Sequence, residues 1–512
     1  MDSARHWKSP EDNDVGKVIE SLQDRFAIRA ESRVRQERIY LDTFDWLLFV
    51  RSLALYQGDT SLTLCSLRGE ETDIVGIADV RPTFAREVSS APLRDRLHDA
   101  IAERALLEIA RTTVHTTVYR VLNSDDKTVA RLVDIRLRSC ESTTRSKPES
   151  YLSLLPIRGY AKQAQSIASV LESWREVSSI EAVVYKDALR TCRQEAGRYS
   201  AKLLLRLDPG MRSDDAVKLI LLRLLDIMHS NLDGIRSDVD IEFLHDYRVA
   251  VRKTRAALSQ IAGVFPTEIA DQYKHLFGAL GQSTNALRDL DVYLLSEATY
   301  REMLPPSLQD HIAPLFDYLR SQRAQVHAHA VEIIDSADTM RMLAEWSEYL
   351  HAPTTDRSAV NAAMPVLALS SRRIYRRYRR IIKRGRQLVE PVDDEELHAL
   401  RIECKKLRYL LEFFASLYPP KRLNQLIYEL RKLQDNLGEF NDLSVQQNYL
   451  MKVAGELPLT DSQSARSLVA TGALVETLAH RQEYVKSEFG QRFSDFASDE
   501  NRERYRELFS NK

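Results

Sequence analysis

The first part of the chain, residues 1–208, is a series of short segments rich in β-branched and aromatic residues. The segments RIYLDTF, SLTLCSL, TTVHTTVYRVL and TVARLVDIRL alternate apolar and polar positions, and turns such as SDDK separate them. Such alternation over a few residues predicts β-strands. The segment at residues 94–110, RDRLHDAIAERALLEIA, has helical spacing and predicts a helix among the strands. The pattern therefore predicts an α+β domain.

The remainder of the chain follows a helical period. The Pro-Gly pair in LDPGMRSDD breaks the strand pattern, so we place the domain boundary between residues 1–208 and 209–512. Further on, Leu400, Cys404 and Leu407 recur at the spacing of one helix face that packs into a core. An all-α domain is therefore predicted after the α+β domain.

Two stretches of this helical part repeat each other without a gap: HDYRVAVRKTRAALSQIAGVFP from His245 and HALRIECKKLRYLLEFFASLYP from His398. The same offset continues into LRDL and FNDL, where Asp289 meets Asp442. A structural duplication explains the pattern. It predicts internal repeats around residues 212–360 and 365–510.

The two copies share mostly a pattern of cations. Helix positions i, i+3, i+7 and i+10 project from one side of a helix. In the first copy these positions hold His245, Arg248, Arg252 and Arg255, and in the second they hold His398, Arg401, Lys405 and Arg408. Next to them, Lys253 of the first copy recurs as Lys406 of the second. Like charges at this spacing repel by about a few tenths of a kcal/mol per pair, so a twice-built stripe indicates an anionic ligand. A solvated face is the alternative for the stripes, and a structural role is the alternative for each histidine.

A third basic segment, RRIYRRYRRIIKRGR from Arg372, contains no acidic residue. Its cations form two stripes that flank one apolar face. The first stripe is Arg372, Arg376, Arg379, Lys383 and Arg386, and the second is Arg373, Arg377, Arg380 and Arg384. The repeat offset favours the first as the inward stripe, because Arg376 corresponds to Arg223 upstream. A solvated surface is again the alternative.

The paired H-x-x-R-x-x-x-(R/K)-(K/R)-x-R helices, each followed by an LRDL- or FNDL-like turn, resemble the CHAD domain, an all-helical family named for its histidines. The likeness runs from about Leu207 to the C-terminus, where FASDENRERYRELF is similar to the end of such domains. It implies two pseudo-symmetric helical bundles whose basic helices line a channel for inorganic polyphosphate. The candidate polyphosphate-binding residues are then His245, Arg248, Arg252, Lys253, Arg255, Arg223, Arg372, Arg376, Arg379, Lys383, His398, Arg401, Lys405, Lys406 and Arg408.

The earlier segment RIYLDTFDWLLFVRSLALY resembles CYTH triphosphate-tunnel domains, which usually carry a Y-x-D-T-x-D turn and often precede CHAD domains. That likeness implies a tunnel in which glutamates hold a divalent metal beside a triphosphate. The E-x-E-x-K signature is missing, and Tyr151 and Ser153 stand where carboxylates are expected. We therefore expect a degenerate triphosphate-tunnel-like barrel with no metal site and no catalytic residue. Four arginines are either remnants of a phosphate site or ordinary surface residues of strands: Arg51, Arg111, Arg120 and Arg136.

Composition favours a local anion site over a general nucleic-acid binder. Lys and Arg total 73 against 74 Asp and Glu, a net charge of −1, so positive potential must be concentrated. No apolar run is long enough for a transmembrane helix, and MDSARHWKSPEDND lacks the apolar core of a secretory signal. The default location is the cytoplasm, with association to polyphosphate granules left open. The scattered cysteines Cys65, Cys140, Cys192 and Cys404 form no C-x-x-C pair and are expected to be free thiols.

Three functions compete at this point. The first is a non-catalytic module that binds inorganic polyphosphate in a basic channel, without a cofactor and with homo-oligomerisation left open. The second is a metal-dependent triphosphate hydrolase or cyclase in the α+β domain, which would need metal ligands that the sequence does not offer. The third is a nucleic-acid binder that uses the Arg372 segment, where Tyr375 and Tyr378 lie on the apolar face and favour core packing over base stacking.

Overall fold

A computed structural model describes residues 4–9, 15–68, 73–77, 80–139, 148–172, 174–353, 359–388, 392–457 and 462–510. The chain divides into two compact units, Met1–Ser200 and Ala201–Lys512. Cys140, predicted to be a free thiol, lies outside the described residues. Cys65, Cys192 and Cys404 are buried free thiols.

The first unit contains an antiparallel sheet of nine strands within the part of the chain that the structure describes. The strands are β1 Arg5–Lys8, β2 Ala27–Asp42, β3 Leu53–Gln57, β4 Ser61–Ser66, β5 Ile74–Ile77, β6 Leu107–Leu122, β7 Thr128–Ser139, β8 Glu149–Pro156 and β9 Arg175–Val177. They pair in the order β5-β4-β3-β2-β6-β7-β8-β1-β9. The predicted α+β class is confirmed, whereas the likeness to a triphosphate tunnel stays a prediction.

The hairpin of β6 and β7 shows how the predicted turns act. The polar SDDK segment joins the two strands, and Asn123 Oδ1 accepts hydrogen bonds from the backbone N–H groups of Asp125 and Lys127 at 3.1 and 3.0 Å. An asparagine that bonds its own backbone two residues on is a common turn former. The register then runs from Leu122 opposite Thr128 to Thr112 opposite Ser139.

Among its described residues, five α-helices accompany the sheet: α1 Val15–Gln23, α2 Leu47–Val50, α3 Ala91–Ile101, α4 Ala161–Val170 and α5 Ile180–Thr191. Helix α5 packs on one face of the sheet, where Tyr185 joins a buried cluster with Tyr40, Tyr56 and Tyr151. The helix predicted over residues 94–110 is too long. It ends at Ile101, since Ala102 has a positive φ of 48°, and residues 107–110 already belong to β6.

The second unit is helical, as predicted. Its helices are α6 Ser213–Arg236, α7 Ile241–Gln260, α8 Thr267–Ser283, α9 Asn285–Leu295, α10 Glu297–Met303, α11 Ala313–Ile334, α12 Ala337–His351, α13 Val366–Gly385, α14 Asp394–Phe413, α15 Pro420–Glu456, α16 Ser462–Phe496 and α17 Asp499–Phe509. Among the described segments, no helix is both long and apolar enough to cross a membrane.

The bounds of several of these helices are related by the offset between the two similar sequence stretches. Helices α7 and α14 both have 20 residues, and the offset between His245 and His398 also relates their first and last residues. The same offset relates the starts of α6 and α13, and of α8 and α15. The copies differ further on, because α8 ends and α9 begins around Thr284, whereas α15 continues through the corresponding position as one helix of 37 residues.

Candidate functional site

Helices α7 and α14, which carry the two repeated stripes, line one cleft of the helical unit. This central cleft has a volume of about 870 Å³, and α10, α15 and α16 complete its wall. Its basic side chains are His245, Arg252, Lys253, Arg401, Lys405, Arg408 and Arg481, and its acidic ones are Glu412, Asp435, Glu439 and Asp442. Six of the predicted residues thus meet around one space, with cations from both copies.

Local sequence explains why the stripes face this cleft. Each helix begins after an aspartate cap: Asp240 accepts hydrogen bonds from the backbone N–H groups of Glu242 and Phe243, and Asp393 accepts one from Glu395. The apolar stripe of α14 is buried to 0% exposure, and it comprises Leu400, Cys404, Leu407 and Leu411. Because that face packs into the core, the cations a quarter turn away point into the cleft.

Two cations at corresponding positions of the repeat have no partner among the residues that the structure describes. Arg252 is exposed and Lys405 is half-buried, and within the described residues neither forms a hydrogen bond or an ion pair. Burial, together with the positive charges of Arg401, Arg252 and Arg408, lowers the pKa of Lys405 to about 8. The neighbouring cations therefore repel one another here, and an anion bound in the cleft would relieve that repulsion.

Arg248, the first arginine of the α7 stripe, is anchored instead. Its guanidinium donates to the carbonyl oxygen of Gly281 at 2.9 Å, to Thr284 Oγ1 at 2.5 Å and to Asn285 Oδ1 at 2.7 Å. These acceptors lie where α8 gives way to α9, so Arg248 ties α7 to that junction. Burial and the charge of Arg252 lower the pKa of Arg248 to about 10.

The corresponding residues of α14 have charged or polar side-chain partners. Arg401 donates to Asp442 Oδ1 at 3.0 Å, and burial lowers the pKa of Arg401 despite that carboxylate. His398 is exposed, and its Nδ1 lies 2.5 Å from Asn441 Oδ1. His398 is absent from the cleft wall, whereas His245 is part of it.

The wall of the cleft also contains acidic residues, which the sequence analysis did not predict. On α15 the residues Asp435, Glu439 and Asp442 recur at i, i+4 and i+7 and line the cleft. Glu412 of α14 contacts Lys253 Nζ at 2.9 Å and accepts a hydrogen bond from Arg408 Nε at 2.8 Å. Although burial opposes ionisation, these two cations hold the pKa of Glu412 below its usual value. The cleft is thus polarised rather than uniformly basic.

Sequence reasoning also missed one cation. Arg481 of α16 lines the cleft and donates to Glu439 Oε1 at 2.7 Å. It lies in a segment without a basic stripe, so only long-range packing brings it to the site.

Three other predicted binding residues lie outside the central cleft. Lys406 contacts Glu403 at 3.0 Å, on another side of α14. Arg255 is exposed near Gly278 of α8, and Arg223 forms an ion pair with Asp226 on its own helix. The sequence placed all three in the channel because helical spacing reports a face and not the partner packed against it.

The first stripe of α13 lines a different cleft. This α13 cleft has a volume of about 650 Å³, and its wall comprises Met364, Ala368, Arg372, Tyr375, Arg376, Arg379, Arg380, Lys383, Phe509 and Ser510. The four predicted binding residues of this stripe are therefore separated from His245 and Arg252, which differs from the expected single channel.

The second stripe of α13, and not the first, faces α14. Arg377 donates to Glu403, and Arg384 donates to Glu396 at 2.8 Å. The apolar residues Ile374 and Ile381 between the stripes are fully buried. Carboxylates on α14 therefore decide which stripe turns inward, and the repeat offset could not reveal them.

The sheet of the first unit contains a buried polar cluster at the positions where tunnel carboxylates were sought. Tyr151 donates to Asp187 Oδ2 at 2.6 Å, and Lys8 Nζ lies 2.6 Å from the same oxygen. Next to them, His6 Nδ1 lies 2.8 Å from Ser153 Oγ. Burial opposes ionisation of Asp187, yet Lys8 and Tyr151 hold its pKa below the usual value. Protein groups thus satisfy one another at this position.

The arginines considered as remnants of a phosphate site have varied surroundings. Arg111 is paired with Glu37 and Glu108, and Arg136 is paired with Asp134. Arg51 donates to the carbonyl oxygen of Leu47, and the Nε of Arg120 is buried without a hydrogen-bond partner. Groups of three or more His, Cys, Asp or Glu side chains that could hold a metal ion are absent from the described residues.

Comparison with known proteins gives a match in the helical part. Residues 219–451 match the model of the CHAD domain. A crystal structure of the CHAD domain from the plant Ricinus communis is similar, with 23% identity and a TM-score of 0.48, and covers 58% of this chain and 96% of that chain. The structure of PptA from Streptomyces chartreusis is similar with 15% identity and a TM-score of 0.42, and covers 56% and 100%. No curated protein matches at a significant level.

Proposed function

Since residues 219–451 form a CHAD domain, a family known for binding polyphosphate, we propose that the protein binds inorganic polyphosphate in the central cleft without catalysing its breakdown. The observation that carries the proposal is that Arg252 and Lys405, one from each copy, meet in this cleft without a hydrogen bond or ion pair to any described residue. The remaining cations of the site are Lys253, Arg401, Arg408 and Arg481, with His245 beside them.

The chemistry of these groups fits a linear phosphate polymer. Guanidinium groups grip two phosphate oxygens at once, and lysine supplies a compact charge. Along α14, the positions from Arg401 to Lys405 and Arg408 extend over about 10 Å, so one helix can contact several successive phosphates. The acidic residues of α15 repel the polymer and orient it towards the α7 and α14 side.

A salt series tests this proposal directly. With about five phosphate contacts, affinity is expected to fall about a hundredfold over a fourfold rise in salt concentration, because each contact releases a counterion. Long-chain polyphosphate, RNA, DNA and ATP are titrated side by side into the purified protein. The proposal requires polyphosphate to bind more tightly than RNA at matched salt, and equal affinities throughout the series would contradict it.

Polyphosphate affinity is also expected to decrease as the pH rises above about 8. The pKa of Lys405 is near 8 in the free protein because burial and neighbouring cations disfavour its charge. A bound polyanion favours the protonated amine, so binding takes up protons around this pH and weakens once the amine is neutral. Polyphosphate affinity is measured between about pH 6 and pH 10, a range that includes the pKa of Lys405.

The control for this pH profile is Lys405→Arg, which keeps a positive charge throughout the range. In this variant the decrease above pH 8 should disappear. If the profile persisted unchanged, another group would have to be the titrating one.

We further expect no metal-dependent release of phosphate from ATP or tripolyphosphate. Such chemistry needs several oxygen ligands around a divalent ion, whereas Tyr151 and Ser153 here contact Asp187 and His6. Phosphate and pyrophosphate are assayed with the full chain and Mg²⁺ or Mn²⁺. If turnover were observed and an Asp187→Asn substitution abolished it, Asp187 would belong to a metal site that this proposal does not include. The protein would then be an enzyme.

A further inference from the structure

We propose that the α13 cleft is a separate binding site for a nucleoside polyphosphate. This inference goes beyond polyphosphate binding in the central cleft and uses different residues. It starts from the division of the α13 cleft into a cationic part and an apolar part.

The cationic part holds charges that the protein leaves available. Arg376, Arg379 and Lys383 line the cleft, and within the described residues none of them has an ion pair or a hydrogen bond. They extend over about 10 Å of helix. No acidic side chain lines this cleft in the part of the chain that the structure describes. Three adjacent unpaired cations can clamp a short run of phosphates.

The other part of the cleft is apolar, which a bare phosphate chain would not use. Its apolar side chains are Met364, Ala368 and Phe509, and Arg372, one helical turn after Ala368, also lines the cleft and donates to Asn361 Oδ1 at 2.9 Å. An inorganic polyphosphate would lose hydration against these apolar side chains without gaining contacts, because every unit of it is charged. A ligand with phosphates at one end and an aromatic or apolar group at the other fits both parts.

Tyr375 supplies a stacking position at the junction. Its ring lies 6.4 Å from that of Tyr378 at an interplanar angle of 27°, and Tyr378 stacks on Tyr505 at 3.8 Å and 9°. Tyr378 and Tyr505 are buried, whereas Tyr375 is half-buried and lines the cleft. Tyr375 is therefore the outer member of a group of three aromatic rings, and its half-buried ring offers a surface in the cleft on which a nucleobase can stack.

The two clefts share no lining residue, and no described residue of α14 lines the α13 cleft. The α14 residues Arg401, Lys405 and Arg408 face the central cleft, while Glu403 faces α13 and pairs with Arg377. Occupancy of one cleft therefore requires none of the cations in the wall of the other. Binding at the two clefts can be separated by substitution.

The experiment uses the full chain and three probes: ATP, inorganic tripolyphosphate and adenosine. We expect ATP to bind with one site, and Arg379→Ala with Lys383→Ala to weaken it at least about tenfold, because two charged hydrogen-bonding groups are removed. Tyr375→Leu should weaken ATP at least about fivefold and leave tripolyphosphate unchanged, since stacking involves only the base. Tyr375→Phe, which keeps the ring, should retain ATP affinity.

Two controls separate this site from the central cleft. Arg252→Ala with Lys405→Ala should leave ATP binding unchanged while long-chain polyphosphate binding is lost. Arg341→Ala with Lys274→Ala removes the same residue types from exposed ion pairs and should change neither. The inference is overturned if ATP shows no binding, or if Tyr375→Leu and Tyr375→Phe affect ATP and tripolyphosphate equally.

Discussion

Replacing Arg252 and Lys405 together by alanine is expected to weaken polyphosphate binding by about a hundredfold or more. A hydrogen bond to a charged partner contributes about 1.5–3 kcal/mol, and two such cations are removed from opposite copies of the repeat. Neither side chain has a partner to lose in the part of the chain that the structure describes. The measurement is equilibrium binding of long-chain polyphosphate at fixed salt and pH.

Stability gives this prediction a second readout. The pKa of Lys405 is about 8 against an ordinary value of 10.5, so a charged Lys405 is less stable in the folded protein than in the unfolded chain. That penalty is fully present below pH 8 and disappears as the pH rises towards 10.5. The double variant should therefore be at least as stable as the wild type at pH 7 while its binding is lost.

The matched control for the double variant is Arg341→Ala with Lys274→Ala. Both side chains form exposed ion pairs outside the central cleft, with Asp338 and Asp271. The change in net charge is the same, yet affinity should decrease by less than about threefold, because distant surface charges are screened. Equal losses in the two double variants would mean diffuse attraction rather than a defined cleft.

The largest effect on stability is expected from Glu403→Gln. Glu403 is 4% exposed and joins Arg377, Arg380 and Lys406, with Lys406 Nζ at 3.0 Å and Arg380 Nε at 3.6 Å. Removing its charge leaves cations of α13 and α14 without their carboxylate. Breaking a buried pair in this way costs about 3 kcal/mol, and somewhat less where a partner reaches solvent.

The pH dependence of this effect has a definite sign. Burial disfavours the charged form of Glu403, but Arg377 and Lys406 outweigh it and hold the pKa below the ordinary 4.5. The contribution to stability is therefore present above pH 4.5 and is lost as the pH falls through the folded pKa. Thermal unfolding of both proteins, followed by circular dichroism, should show midpoints that converge in acid.

Glu396→Gln is the companion control, because Glu396 forms a half-exposed pair with Arg384. Its loss should cost less than about 1 kcal/mol. A cost as large as that of Glu403→Gln would indicate that burial of the carboxylate does not determine the effect.

Hydrophobic periodicity was sufficient to predict the helical unit and much of the sheet. Leu400, Cys404 and Leu407 report the buried face of α14 because a core needs a continuous apolar stripe. The segment at residues 94–110 shows the limit of the method. Its last residues, 107–110, pair with β2 as part of β6, and long-range pairing overrode local helical spacing there.

The sequence pointed to the six residues of the repeated helices that line the cleft, but not to the residues that α15 and α16 contribute. Spacing places Arg252 and Lys405 on the correct faces, since each position depends only on its own helix. The acidic residues of α15 and Arg481 of α16 join the site through tertiary packing, which a single sequence does not report. For the same reason the sequence did not show which stripe of α13 faces α14. The two stripes flank the same apolar face and differ only in what packs beside them.

Arg248 and Arg401 occupy corresponding positions, but their hydrogen-bond partners differ because the helix is interrupted at Thr284 in the first copy and continuous in the second. Arg248 donates to three uncharged oxygens at the junction of α8 and α9, and moving it would remove three hydrogen bonds there. Arg401 contacts the carboxylate of Asp442 on an unbroken helix, and a phosphate can compete for the same donor. The two corresponding arginines therefore differ in what a bound anion could displace: Arg248 would have to leave three uncharged acceptors, whereas Arg401 would exchange one carboxylate for a phosphate.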